Sequence, residues 1–132
     1  LEAGLGFAVA LEKSAGFLGQ ERLIRQKAEE GPAYQHRIVS IMVPDLTASD
    51  GPYLIHNEPI WKNGEIVGHV TSGDWGFRLE AMVGLASISR EGGAHKSWID
   101  EGRFEVQIAG EMYPIIIQLG PFYDPKGDIM RG

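Results

Sequence analysis

The dipeptide Asn63-Gly64, set between two apolar-rich segments, constrains this chain more than any other feature. Asn followed by Gly is the pair that most readily supplies the two positive φ angles of a type I′ turn, whose twist matches that of the strands it joins. Residues 58–73 therefore read as a β-hairpin. A chain built outward from such a hairpin is committed to strand pairing, and the neighbouring texture agrees.

His36-Arg-Ile-Val-Ser-Ile-Met-Val-Pro44 reads as a first strand, ended by a proline that cannot continue a central ladder. A polar loop, Asp45 to Pro52, separates it from the hairpin. Ala81-Met-Val-Gly-Leu-Ala-Ser-Ile88 is another strand, and the long connection from Arg90 to Gly102 holds one expected helical turn at Ser97 to Asp100. In Arg103 to Ala109, Phe104, Val106 and Ile108 alternate with Glu105 and Gln107, the pattern of a half-buried strand. A turn is expected at Gly110-Glu111, before a last strand from Met112 to Leu119. Six short strands, with 18 glycines available for bends, predict a mainly β chain closed as a small six-stranded Greek-key-type barrel. Closure removes the exposed edges that open sheets must protect.

The first 34 residues read differently. Leu5-Gly-Phe-Ala-Val-Ala-Leu11 is apolar on both faces at period two and predicts a strand covered on both sides. Residues 17 to 30 predict a helix with a modest apolar stripe of Leu18, Leu23, Ile24 and Lys27, stopped by Gly31-Pro32. The predicted division is thus a strand–helix extension over 1–34 and a barrel over 35–132.

Charge and composition narrow the function classes. Twelve basic against eighteen acidic residues give a net charge of −6, and no run of Lys and Arg forms a phosphate-binding surface, so no nucleic-acid partner is expected. With no cysteine there is no disulfide framework, thiol nucleophile or thiolate metal site. No apolar run approaches the roughly 18 residues of a membrane-spanning helix, and no membrane partner is expected. The four histidines, His36, His56, His69 and His95, lack metal-ligand spacing; His56 and Glu58 could share a strand face, but a metal requires three or four ligands. Ser72 lacks the nucleophile elbow of a Gly-x-Ser-x-Gly turn and reads as the end of a strand turning at Gly73. Asp74-Trp-Gly-Phe-Arg78 places an arginine beside two aromatics, a group able to stack or to clamp a carboxylate, although packing at the surface is the simpler reading.

Several strings carry a family resemblance: Pro59-Ile-Trp61, Gly64-Glu-Ile-Val-Gly68 and Thr71-Ser-Gly73 in the hairpin, Leu1-Glu-Ala-Gly-Leu-Gly-Phe7 with Gly16-Phe-Leu-Gly-Gln-Glu-Arg-Leu23 before it, and Pro121-Phe-Tyr-Asp-Pro-Lys-Gly127 after the last strand. Together they resemble the C-terminal barrel of the folate-dependent aminomethyltransferases, the glycine-cleavage T-protein group. At Trp75, Phe77, Arg78 and Glu80 the chain departs from that family's Tyr-Gly-His-Thr-Leu-Gly type of string, so no family role transfers to this loop.

The resemblance implies a piece of a longer protein, whose catalytic aspartate, pterin contacts and folate-binding arginine lie upstream of Leu1. It implies tetrahydrofolate as a shared cofactor and the preceding folate-binding domain as the cover for Leu5 to Leu11. The barrel would scaffold the folate channel without being catalytic. Tyr123 is the single site residue that transfers, since the segment after Pro121-Phe122 approaches that channel and a phenol can both stack and donate. Tyr53-Leu-Ile-His-Asn-Glu-Pro-Ile-Trp61, the tail and the terminal Met130-Arg-Gly resemble most the dimethylglycine and sarcosine dehydrogenase-like flavoproteins, which implies FAD and a methylated-amine substrate in the parent. The alternatives are a free-standing T-protein and a non-catalytic regulatory relative such as the pyruvate dehydrogenase phosphatase regulatory subunit. The resemblance implies a cytoplasmic location in a bacterium or the mitochondrial matrix in a eukaryote. Uncovered apolar surface predicts self-association through residues 1–30.

Overall fold

The computed structural model describes residues 1–31, 33–47 and 51–132. Six antiparallel strands close into a barrel in the order β1-β4-β3-β2-β5-β6: β1 (His36–Val43), β2 (Pro59–Lys62), β3 (Glu65–Gly76), β4 (Ala81–Ser89), β5 (Phe104–Ile108) and β6 (Glu111–Gln118). β2, β3 and β4 follow one another as hairpins while β1 reaches the far side of β4 by the long connection, which is the Greek-key arrangement. The expected mainly β barrel is therefore the fold of the chain.

The turn that organises it has the predicted conformation. Asn63 and Gly64 have φ of 52° and 84°, and they join Lys62 to its register partner Glu65. Alternation then decides what faces inward: Val39, Ile41 and Val43 on β1 meet Ile60, Val70, Ile88, Phe104 and Val106 in one core, each 2% exposed or less. Burial of side chains of this size contributes about 1.5–3 kcal/mol apiece.

The register of β3 shifts twice: against β2, Ile60 pairs with Gly68 but Trp61 with Ile66, so Val67 is extra, and a second shift faces β4. Val70 pairs with Ala86 but Ser72 pairs with Leu85, so Thr71 is an extra, bulged residue. The bulge keeps Val70 inside while turning Ser72 and Asp74 outward, and it returns Trp75 to the core. Gly73 is thus not a strand end: β3 runs on to Gly76, and the turn falls at residues 77–80. A second correction falls at the last hairpin, where Ile108 pairs with Glu111 and the turn is Ala109-Gly110, with φ of 51° and 91°. Ala109 accepts the left-handed conformation because Glu111 is needed in the ladder.

β1 and β6 close the barrel over three residue pairs only, Ser40–Met42 against Ile116–Gln118. Pro114 lies in the part of β6 that has β5 alone as a neighbour, where a missing N–H is tolerated.

Residues 1–35 form an arm. Leu5–Leu11 is not a strand: Gly6–Ala8 make a single 3₁₀ turn, and bonds from Ala8 N to Leu5 O and Leu11 N to Val9 O fold the segment on itself. Small residues between Phe7, Val9 and Leu11 offer no face to pair, and Gly4 takes φ of 76° just before them. α1 (Gln20–Glu30) begins after Gly19 (φ 87°), with Glu21 in its first turn and Lys27 in its last, each matched to the helix dipole. Its start is three residues later than expected because Gly19 stands at the N-cap. Gly31 ends it, while Pro32 lies outside the described residues. No residue of α1 is buried. Of the expected polar loop, residues 48–50 also lie outside the described residues, and Leu46 within it is buried in the core. The helical turn expected at Ser97 is α2 (Lys96–Asp100), and a last turn, α3 (Asp128–Arg131), ends the chain.

Candidate functional site

Beside the bulge at Thr71, the tail and the strands of the barrel wall meet in a groove. Ser40 of β1, Ser72 and Asp74 of β3, and Val83 and Leu85 of β4 form its floor, and Leu79, Pro121 and Phe122 wall it. Thr71 Oγ1 donates to Leu85 O at 3.1 Å and fixes the bulge across the strands. The groove holds about 390 Å³ and is open to solvent. Pockets that bind a cofactor enclose most of its surface; this one cannot enclose a pterin with its charged tail. A whole folate site does not fit within these residues, and no chemical step is routed through one.

Tyr123 lies just beyond the groove, 43% exposed, between half-buried Phe122 and Asp124. Asp124, with φ of 47°, is the knot of the tail: its carboxylate accepts from Ile129 N at 3.2 Å and Met130 N at 3.1 Å, and its carbonyl accepts from Gly127 N at 2.9 Å. Tyr123 is thus presented outward from a segment held at both sides.

The other candidates are not brought together. All four histidines are exposed on separate elements, and no group of three metal-ligating side chains converges among the described residues. Glu58 Oε1 accepts from Ile55 N at 2.9 Å. Asp74 Oδ1 accepts from Trp75 N at 2.7 Å, Trp75 packs on the core, and Phe77 points away at 85% exposed. The two aromatics flanking Gly76 therefore sit on opposite sides, and the described cation–ring contacts lie elsewhere.

Two of those contacts mark a residue that sequence reasoning passed over. Lys62 is 8% exposed, the one buried charged side chain among the described residues. Its Nζ donates to Trp98 O and stands 3.9 Å from the Trp98 ring centroid and 4.7 Å from that of Phe104. Burial pushes this ammonium below the ordinary lysine range, Arg90 adds to the push, and Glu101 opposes it. The signal was present in the sequence: Lys62 shares the parity of Ile60, the inward side of β2.

The class of protein these observations define is a small closed antiparallel β-barrel domain with a grooved wall. Residues 37–124 match the family model described as the glycine cleavage T-protein C-terminal barrel domain, and the chain belongs to that family. It is 36% identical over 130 residues to 4-methylaminobutanoate oxidase (formaldehyde-forming) of Paenarthrobacter nicotinovorans, covering 98% of this chain and 14% of that protein. It is 30% identical to the mitochondrial sarcosine dehydrogenase of Mus musculus, covering 100% and 14%, and 38% identical to an aminomethyltransferase of Prochlorococcus marinus (strain NATL1A), covering 92% and 29%. The chain spans about a seventh to under a third of the curated relatives it matches. No helix among the described residues is long and apolar enough to cross a membrane.

Proposed function

We propose that this chain is the C-terminal barrel of a folate-dependent one-carbon transfer protein, most akin to the flavoproteins that oxidise methylated amines. Tetrahydrofolate and FAD would belong to that larger protein. The barrel's part is to close one side of the folate channel and keep water from a reactive iminium, which would otherwise hydrolyse. Tyr123 is the side chain it offers to the channel.

The observation that carries this reading is the reach of the similarity. Likeness to the two amine oxidising relatives covers 98% and 100% of the chain, including the arm that precedes the family-matched barrel. Likeness to aminomethyltransferases at up to 38% identity favours a second parent, a free-standing T-protein.

Sequencing the reading frame upstream of the Leu1 codon separates the two. A strand followed by Gly-x-Gly-x-x-Gly is the expected finding, because glycines let the backbone approach the flavin pyrophosphate. An aminomethyltransferase body with no such motif would overturn the flavoprotein parent.

A further inference from the structure

One carboxylate organises the tail that follows β6. Where the strand ends, Gln118 Nε2 donates to Gly120 O at 2.9 Å, and Pro121 and Phe122 then wall the groove. Two residues on, Asp124 takes φ of 47°, in the left-handed region that Asp and Asn enter more readily than other side chains. Tyr123 stands between these two anchors and is 43% exposed.

The short turn α3 begins with backbone amides that no helical carbonyl can accept. Gly127, at its N-cap, has no side chain to take them. Asp124 supplies the cap from three residues upstream: Oδ1 accepts from Ile129 N at 3.2 Å and Oδ2 from Met130 N at 3.1 Å. Its carbonyl accepts from Gly127 N at 2.9 Å, so one residue holds three points of the tail. From the far end Arg131 donates to Lys126 O and Gly127 O, and its pair with Asp128 at 3.2 Å is exposed on both sides and contributes little. Asp124 is half-buried where Arg131 is exposed, and amide bonds to an ionised acceptor are about twice as strong as neutral ones, so the carboxylate is the main fastening.

We infer that Asp124 is a positioning residue for Tyr123: its carboxylate knots residues 124–130 so that the Tyr123 ring is presented to the folate channel from a fixed backbone. This rests on the reading of Tyr123 as the side chain the barrel offers to that channel. Asp124 acts through the backbone it fixes and does not touch the ligand. A residue held on both sides has lost its backbone freedom before a ligand arrives, so binding does not have to supply that ordering. Without the carboxylate, residues 123–130 become mobile and the ordering falls at the moment of binding. The loss then appears in KM for tetrahydrofolate and not in kcat.

Two measurements test this. On the chain itself, amide heteronuclear NOEs at Tyr123, Gly127, Ile129 and Met130 should match those of the strands, and Asp124→Ala should lower them there while the strands keep theirs. In the full-length parent, Asp124→Ala should raise KM for tetrahydrofolate about threefold to tenfold at unchanged kcat. Asp124→Asn, which tolerates the left-handed backbone and keeps one acceptor oxygen, should recover most of that loss. Adding Asp124→Ala to Tyr123→Ala should change KM no further, a non-additivity that a merely structural role would not produce. A tail already mobile in the native sequence overturns the inference, and that readout needs no variant to fold. So does an Asp124→Ala parent with unchanged KM where Tyr123→Ala raises it, an outcome that leaves the reading of Tyr123 standing. Tyr123→Ala without effect on KM removes that reading and the positioning role with it.

Discussion

The backbone of Gly73 rests on Leu54: a Cβ at Gly73 would stand 2.6 Å from the Leu54 carbonyl oxygen and 2.8 Å from its Cγ. Leu54 is 1% exposed and belongs to the core, so it cannot retreat. The register partner of Gly73 is Gly84, whose own Cβ would stand 3.0 Å from Leu54 Cδ2. The pair leaves room for the long connection to plug that end of the barrel. Gly73→Ala is therefore expected to destabilise the chain by about 2–3 kcal/mol through overpacking. Gly64→Ala is the control: φ is 84° there and nothing lies within 4 Å, so only the backbone strain of about 1 kcal/mol applies. Urea midpoints of the two variants check the difference; equal losses would contradict the close contact.

Legibility in the sequence followed the range of the interaction. Asn63-Gly64 and the alternation in β5 are set by neighbours along the chain, and both read correctly. The bulge at Thr71 is set by the pairing of β3 with β4, which no period-two count from Val70 can anticipate; such a count puts Ser72 and Asp74 inside the barrel. Leu5–Leu11 misled for the complementary reason, since its apolar content reads as a strand while no described partner strand lies beside it. The groove was half legible. Phe122 and Tyr123 stood out as aromatics in a Pro-bounded tail, but their meeting with Ser40, Val83 and Leu85 is a product of closure.

Tyr113 offers a local electrostatic test. Its hydroxyl donates to Glu111 Oε2 at 2.9 Å, and this bond to a carboxylate raises the phenol above its ordinary range. Loss of the proton would place two negative charges together, which is the physical cause of the shift. In a spectrophotometric titration, one of the four tyrosines should ionise later than the others. Glu111→Gln should remove that late phase while leaving the rest of the curve in place. A late phase that survives the substitution would assign it to a different tyrosine.

The arm carries the surface on which self-association is expected. Leu18 is fully exposed, Phe7 is 89% exposed, and α1 buries nothing, although a helix of its length gains little stability in water unaided. We expect the chain to form concentration-dependent dimers or larger species through residues 1–30. Paired Phe7→Ser and Leu18→Ser substitutions should shift sedimentation toward monomer. A native chain that sediments as a monomer at high concentration would sink the prediction.

Tyr123 separates a channel residue from a tail anchor, and the measurement belongs in the full-length parent. If the phenol reaches a bound folate, Tyr123→Phe should raise KM for tetrahydrofolate by about threefold to tenfold, the range for one lost hydrogen bond near a ligand, with the melting temperature unchanged. Tyr123→Ala should raise it further by removing the stacking face. A tail anchor behaves in the opposite way. Phe122, half-buried in the groove, already serves as one, so Phe122→Ala should lower stability more than Tyr123→Ala does. An unchanged KM in Tyr123→Phe, together with a stability loss in Tyr123→Ala equal to that of Phe122→Ala, would return Tyr123 to packing alone.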